Sequence, residues 1–235
     1  MIRIFLSLCI FRNAAAFKFL PEPLTITSSS FSTALQRERM GSFVYFVAPA
    51  HDLSCNCNND VEVAMNSLTN FDSSYSTQAC KVESSMSDIL KGIIPSVLFD
   101  IKSFRDDVTN MILATASLSR PSETMACRLA LINGVRCPKW HEDYVKIRLL
   151  KTYHGIGTEW VDPQDLGVRA MNHLRSTMDW DLDVKDRAKV RRLHVNDVLI
   201  ISGREREDSS IVPVLHRSPS TKETDKRLLF TVTIS

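Results

Sequence analysis

The stretch Cys137 to Trp160, CPKWHEDYVKIRLLKTYHGIGTEW, decides how the rest of the chain is read. It holds two metal-ligand residues, a run long enough to cross a small barrel, and a turn containing glycine. Taken as one strand, Trp140 to Leu150 alternates with period two. His141, Asp143, Val145, Ile147 and Leu149 then share one face, and Glu142, Tyr144, Lys146 and Arg148 share the other. The first face is apolar with two ligands at its end. A His and an Asp two residues apart on a strand stand ~7 Å apart at their backbones and point the same way, so an imidazole nitrogen and a carboxylate oxygen can meet one ion.

The expected third ligand is His216, in Leu215-His216-Arg217-Ser218-Pro219, ahead of an apolar closing strand from Leu228 to Ile234. His-x-Asp with a distant His is the set of two imidazoles and one carboxylate whose open positions suit non-haem Fe(II) and O₂. His141, Asp143 and His216 are therefore expected both as metal ligands and as catalytic residues. Of the other histidines, His154, His173 and His194 have no partner at ligand spacing and are read as surface or structural. A Ser218 nucleophile beside His216 is not supported, because nothing flanks it like a nucleophile elbow.

The block at 137–160, followed by LHRSP and RLLF, resembles the family known as domain of unknown function 1826, over Arg128 to Val232. The His-x-Asp…His pattern is also similar to that of Fe(II)/2-oxoglutarate oxygenases and of cupins. That likeness implies Fe(II) and 2-oxoglutarate as cofactors, with zinc as the alternative, and a cation beyond His216 that holds the far carboxylate of the co-substrate. Lys226 and Arg227 both stand at a suitable distance. Arginine is the better fork for two carboxylate oxygens and matches the RLL block. Strand parity favours Lys226, which shares the phase of Leu228, Phe230, Val232 and Ile234, unless the strand opens with a bulge. Tyr153 joins these two as a candidate for the cofactor site.

The 235 residues are 44% hydrophobic and 24% charged, ordinary for a chain that buries a real core. A net charge of +2 and a longest cationic cluster, Lys185 to Arg192, that Asp186 interrupts give no basic stripe for nucleic acid. Six cysteines are too few and too scattered for a disulfide framework.

Residues 1–42 read as a leader. Arg3 precedes the apolar run Ile4 to Phe11, which is short of the ~20 residues a membrane span needs, and Ala14-Ala15-Ala16 offers a cleavage site. The acid-poor segment from Phe17 to Ser42 resembles the second part of a bipartite plastid presequence; a plain secretory leader is the alternative. Residues 43–83 are expected to be variable and partly disordered, with a strand near Phe43 to Ala48 and a loop at His51, Cys55 and Cys57. Asn66 to Lys81 reads as a long connection because it is rich in Ser, Thr and Asn.

Residues 84–235 are expected to form one domain. Ser84 to Ser119 predicts two helices, the first capped by Ser87 or Asp88 and ended by Pro95. The second buries Phe99, Ile101, Phe104, Val108, Met111 and Ile112. Asn133-Gly134 predicts a hairpin whose return arm leads into His141. Gly155-x-Gly157 reads as a tight turn beside the metal, Gln164 to about Met178 as a polar helix, and Val195 to Ile201 as a turn into a buried strand. The expected architecture is α+β and mainly β, a double-stranded, cupin-like jelly roll with helices packed on one side. Three functions follow in order: an Fe(II)/2-oxoglutarate oxygenase of unknown substrate; a non-redox, cupin-like metal-binding protein serving zinc handling; and a structural jelly roll without a metal. No membrane span or nucleic-acid partner is expected for the mature chain.

Overall fold

The computed structural model describes residues 45–48, 58–161, 190–203, 214–220, 222 and 225–235, with backbone alone for 45–48 and Asn58. The leader, the expected His51/Cys55/Cys57 loop, the expected polar helix from Gln164 and residues 204–213 lie outside these residues.

Among the described residues nine strands fall into two sheets in which every pairing is antiparallel. The larger has the order β1-β7-β4-β9-β3-β2: β1 is Tyr45–Ala48, β2 Phe71–Gln78, β3 Thr124–Asn133, β4 Ile147–His154, β7 Val198–Ser202 and β9 Lys226–Ile234. The smaller has the order β6-β5-β8, from Val190–Arg192, Glu159–Val161 and Leu215–Arg217. The helices are α1 (Asn58–Met65), α2 (Val82–Ile93), the single turn α3 (Ser96–Phe99) and α4 (Lys102–Ala116). This is a mainly-β α+β fold, and its described strands do not close a barrel. Among the described residues no helix is long and apolar enough to cross a membrane.

Period-two alternation in the central strands builds two different faces. On β9, Leu228, Phe230, Val232 and Ile234 point to the helices and join Ile147 and Leu149 of β4 and Leu129 of β3 in the main core. Against them α2 lays Ile89, Leu90 and Ile93, and α4 lays Phe104, Val108, Met111 and Ile112. Those positions recur every three or four residues, so each helix presents one apolar stripe. Each such side chain, fully buried, contributes about 1.5–3 kcal/mol. The opposite face of the sheet meets the smaller sheet through a second cluster: Leu150, Leu199 and Ile201 from one, Trp160 from the other, with Leu193 and Val214.

Several expectations are corrected. Asn66 to Lys81 contains β2, whose residues alternate between half-buried and exposed. Its sequence, FDSSYSTQ, has two large apolar residues in eight, so composition suggests a loop where an edge strand needs only one half-buried face. Asn133-Gly134 does turn the chain, with Gly134 at φ 68°, but no hairpin follows. β9 pairs with β3 along its length, and the Gly134 N–H donates to the Asp225 carbonyl. Pro138, lacking an N–H, stands in the expected return arm. The first helix begins at Val82, ahead of Ser87 and Asp88, and Phe99 and Ile101 precede α4 and are half-buried rather than part of its buried stripe.

The largest correction concerns Trp140 to Leu150, which is not one strand. β4 begins at Ile147; residues 142–146 bend, and His141 makes an isolated bridge to His216. The alternation cannot be carried through that bend. Ile147 and Leu149 face the helices, while Arg148 and Leu150 face the same cavity as His141.

Candidate metal centre

His141 and His216 are brought together by backbone pairing. Each donates its N–H to the other's carbonyl, at 3.1 and 3.0 Å, and His216 stands opposite Trp160 on its other side. Directly opposed residues of an antiparallel pair share a face, and the two imidazole centroids lie 4.5 Å apart. Asp143 reaches the same place from the bend that follows. Its loop is pressed against the end of β7: the Gly203 N–H donates to the Lys146 carbonyl, and a Cβ at Gly203 would stand 2.1 Å from the Val145 oxygen and 2.8 Å from that of Asp143. At its far end the Lys146 N–H donates to Ile234 of β9 at 2.9 Å.

One ligand atom from each of His141, Asp143 and His216 lies within 4.8 Å of the others. His216 Nε2 is 3.2 Å from Asp143 Oδ2. Two ligands held at ~2.1 Å and at a right angle on one ion stand about 3 Å apart, so this pair already has the spacing of neighbouring ligands. The tautomers agree. Nδ1 of His141 bonds the Lys139 carbonyl at 2.9 Å and Nδ1 of His216 the Val214 carbonyl at 3.2 Å. A carbonyl only accepts, so both Nδ1 atoms carry hydrogen, and in the neutral ring Nε2 is then the atom free to bind a metal.

Asp143 Oδ1 accepts from Arg148 at 2.8 Å, whereas buried Oδ2 faces His216 Nε2 at 3.2 Å. Burial alone would raise the Asp143 carboxyl; His216, Arg148 and His141 beside it outweigh that and hold it below its ordinary range. Burial, then neighbouring His216, lowers His141. A carboxylate and two imidazoles with ligand atoms this close to one another fit a divalent cation.

The cavity beside these residues measures about 340 Å³ and is lined by Arg148, Arg217 and Arg227 as well as both histidines. Arg227 is 4% exposed. Its Nη2 donates to the hydroxyl of Thr158 and weakly, at 3.5 Å, to that of Thr152, while Nε is buried without a partner. Burial lowers this guanidinium to about 10, so it remains charged at neutral pH with no acid on it among the described residues. Arg217, by contrast, donates to Glu159 at 2.8 Å and stacks over Trp140 at 4.4 Å.

The objection from strand parity disappears, because the apolar phase of β9 faces the helices and not the site. Arg227, Leu229, Thr231 and Thr233 line the cavity. Lys226 points away and donates to the carbonyls of Met65 and Leu68 at 3.2 and 3.1 Å. Tyr153 also faces the other way: it lies edge-on to Phe104, centroids 4.6 Å apart, and donates to Asp107. Neither belongs with the triad. Arg148, Thr152 and Thr158 were not anticipated, and only the true start of β4 would have turned Arg148 toward the site. Gly155, at φ 85°, does make a tight turn, and a Cβ there would meet the Lys226 oxygen at 2.3 Å, so the turn is packed onto the root of Arg227.

Comparison with curated proteins gave no match. Among solved structures, the chain is similar to a dioxygenase for auxin oxidation from rice, at 9% identity over 86% of this chain and 77% of that one, with a TM-score of 0.47. It is similar to a BsmA homologue from Methylobium petroleophilum at 11% identity over 92% and 94%, TM-score 0.47. A third likeness is to the Fe(II)/α-ketoglutarate-dependent dioxygenase TqaL, at 11% identity over 88% and 89%, TM-score 0.43. At such values a functional reading must come from the site's own atoms. A protein-family model matches residues 53–232, starting well upstream of Arg128 and so taking in β2 and all of α2 to α4. The chain belongs to the family described as Protein of unknown function (DUF1826).

Proposed function

We propose that this protein is an Fe(II)- and 2-oxoglutarate-dependent oxygenase, with its two facing sheets forming the walls of a jelly roll. One observation carries the reading: a carboxylate and two imidazoles with ligand atoms within 4.8 Å of one another adjoin a cavity lined by a buried arginine that has no acid among the described residues. The first arrangement calls for a divalent cation and the second for an anion. His141, Asp143 and His216 would hold the metal, and three protein ligands leave positions free for other groups. Bound Fe(II) supplies the electrons and the open positions that O₂ activation coupled to 2-oxoglutarate decarboxylation requires.

The chain's own residues do the rest. Arg148 fixes the Asp143 carboxylate through Oδ1, so that Oδ2 is the oxygen presented. Lys139 and Val214 carbonyls fix the two imidazoles with Nε2 outward. Arg227, braced by Thr158 and Thr152, receives the far carboxylate of the co-substrate, and burial strengthens that pairing by excluding water. The apolar cluster around Leu150 and Trp160 closes the space between the sheets next to the cavity.

The test is anaerobic purification with metal analysis, followed by assay of succinate release from 2-oxoglutarate. One iron per chain and co-substrate-dependent succinate are expected. Metal bound with neither 2-oxoglutarate binding nor succinate leaves the zinc-holding, cupin-like reading; wild-type protein that binds no metal removes both.

A further inference from the structure

The cavity continues past the metal ligands toward β2 and β3, where Ser74, Ser76, Ala126, Arg128 and Arg136 line it. Small and hydroxyl-bearing side chains leave room there. The charges do not balance. Arg128 donates to Asp72 through Nε at 2.6 Å and Nη2 at 2.9 Å, and Arg136 donates to the same carboxylate. One carboxylate thus serves two guanidiniums, which together hold its pKa at about 2. The other arginines of the lining are accounted for: Arg148 by Asp143, Arg217 by Glu159, and Arg227 by the co-substrate on the reading above. Among the described residues no Asp or Glu lines the cavity itself.

We propose that this end of the cavity recognises an acidic group, a carboxylate or a phosphate, on a small-molecule substrate, with Arg128 and Arg136 as its fork and Ser74 and Ser76 as hydroxyl donors beside it. The substrate class rests on the oxygenase reading; the anion site rests on Asp72 and the two arginines. Asp72 has two effects. It holds the guanidiniums in position and it competes with the ligand, since each N–H it accepts is one the ligand cannot use. A cavity of this size suits a metabolite-sized molecule rather than a macromolecule.

The competition gives the experiment its sign. Phenyl phosphate and benzoate, which share a body and differ in the anion, are titrated by calorimetry at low ionic strength into wild-type, Asp72→Asn and Arg136→Ala proteins. Each protein is loaded with Zn(II) and saturating 2-oxoglutarate, so that Arg227 is occupied and no turnover occurs. At least one probe should bind Asp72→Asn roughly 3- to 10-fold more tightly than wild type and Arg136→Ala more weakly by a similar factor, the scale of one charge-assisted hydrogen bond. The probe that responds more strongly identifies phosphate or carboxylate as the preferred group. A salt bridge that only pins β2 to β3 predicts no gain from Asp72→Asn. Equal dissociation constants in all three proteins, or no binding by wild type and Asp72→Asn alike, overturn the proposal. If 2-oxoglutarate itself does not bind, the oxygenase reading fails, and the same titrations in a metal-free Arg227→Ala background decide the anion site separately.

Discussion

The two faces of β4 and β9 are made from alternate residues of the same strands, yet they treat buried charge in opposite ways. On the helix face, Lys151 is fully buried, and its Nζ lies 2.8 Å from Asp107 Oδ2 of α4. The same carboxylate accepts from Tyr153. Burial first, and then Asp107, push the Tyr153 phenol well above its usual range, so it stays a donor. Every charge there has a partner. On the cavity face, buried Arg227 has no acid among the described residues, and its Nε has no hydrogen-bond partner. Structural polar groups are satisfied within the protein, whereas groups waiting for a ligand are not. The contrast within one pair of strands marks the cavity as a site and the Lys151 network as a brace between sheet and helix.

The largest effect should come from breaking the brace. Asp107→Ala leaves Lys151 charged and alone in the core, and should cost about 3–5 kcal/mol in denaturant unfolding. The apolar triple change Asp107→Leu, Lys151→Met, Tyr153→Phe should be far milder. A mild Asp107→Ala would mean the helix face is not the closed network described.

On the cavity face the sign should reverse. Arg227→Met removes an unmatched buried cation, so metal-free stability should hold or rise. Affinity for 2-oxoglutarate should fall by roughly 2–5 kcal/mol, the cost of removing one partner of a buried charge pair. Calorimetry that finds co-substrate binding unchanged would detach Arg227 from this role. A smaller loss is expected from Arg148→Met, which frees Asp143 Oδ1 without touching a ligand. Metal affinity should drop roughly 10- to 100-fold, as for other partners that orient ligands, and competition with a chelating dye measures it.

The smallest effect belongs to the half-exposed rim. Asp72, hydrogen-bonded first by Arg128, sits at about 2 against an ordinary 3.8. A depressed folded-state pKa stabilises above the unfolded value and loses that contribution as pH falls through the folded one. Wild type should therefore exceed Asp72→Asn by less than about 1 kcal/mol at neutral pH, given solvent screening. The difference should close between pH 4 and pH 2. A gap that persists at pH 2 would point to packing, not charge.

The ligand set was legible because His-x-Asp and a distant His carry their chemistry in residue type, and β9 because its alternation runs uninterrupted. Arg227, which lines the cavity, was singled out through the RLL block and the likeness to oxygenases. Periodicity alone chose Lys226, since it shows which residues share a face but not which face meets the cavity. The same blindness put Arg148 on the face away from His141. The Asp72 pairing with Arg128 spans 56 positions and leaves no local trace. β2 was hidden for another reason: an edge strand with one half-buried face does not need the apolar residues by which strands are recognised.

The loop that carries Asp143 has its supports later in the chain, at Gly203, His216 and Ile234. A ribosome adds residues one at a time from the N-terminus. His141 and Asp143 therefore emerge tens of residues before the bridge to His216 can form, and before β9 arrives to hold Lys146. A nascent chain paused after β4 displays both residues but has nothing to fix them. The centre is completed only once β9 has emerged, and a truncated chain that lacks β9 would lose the site even where its helices had already formed.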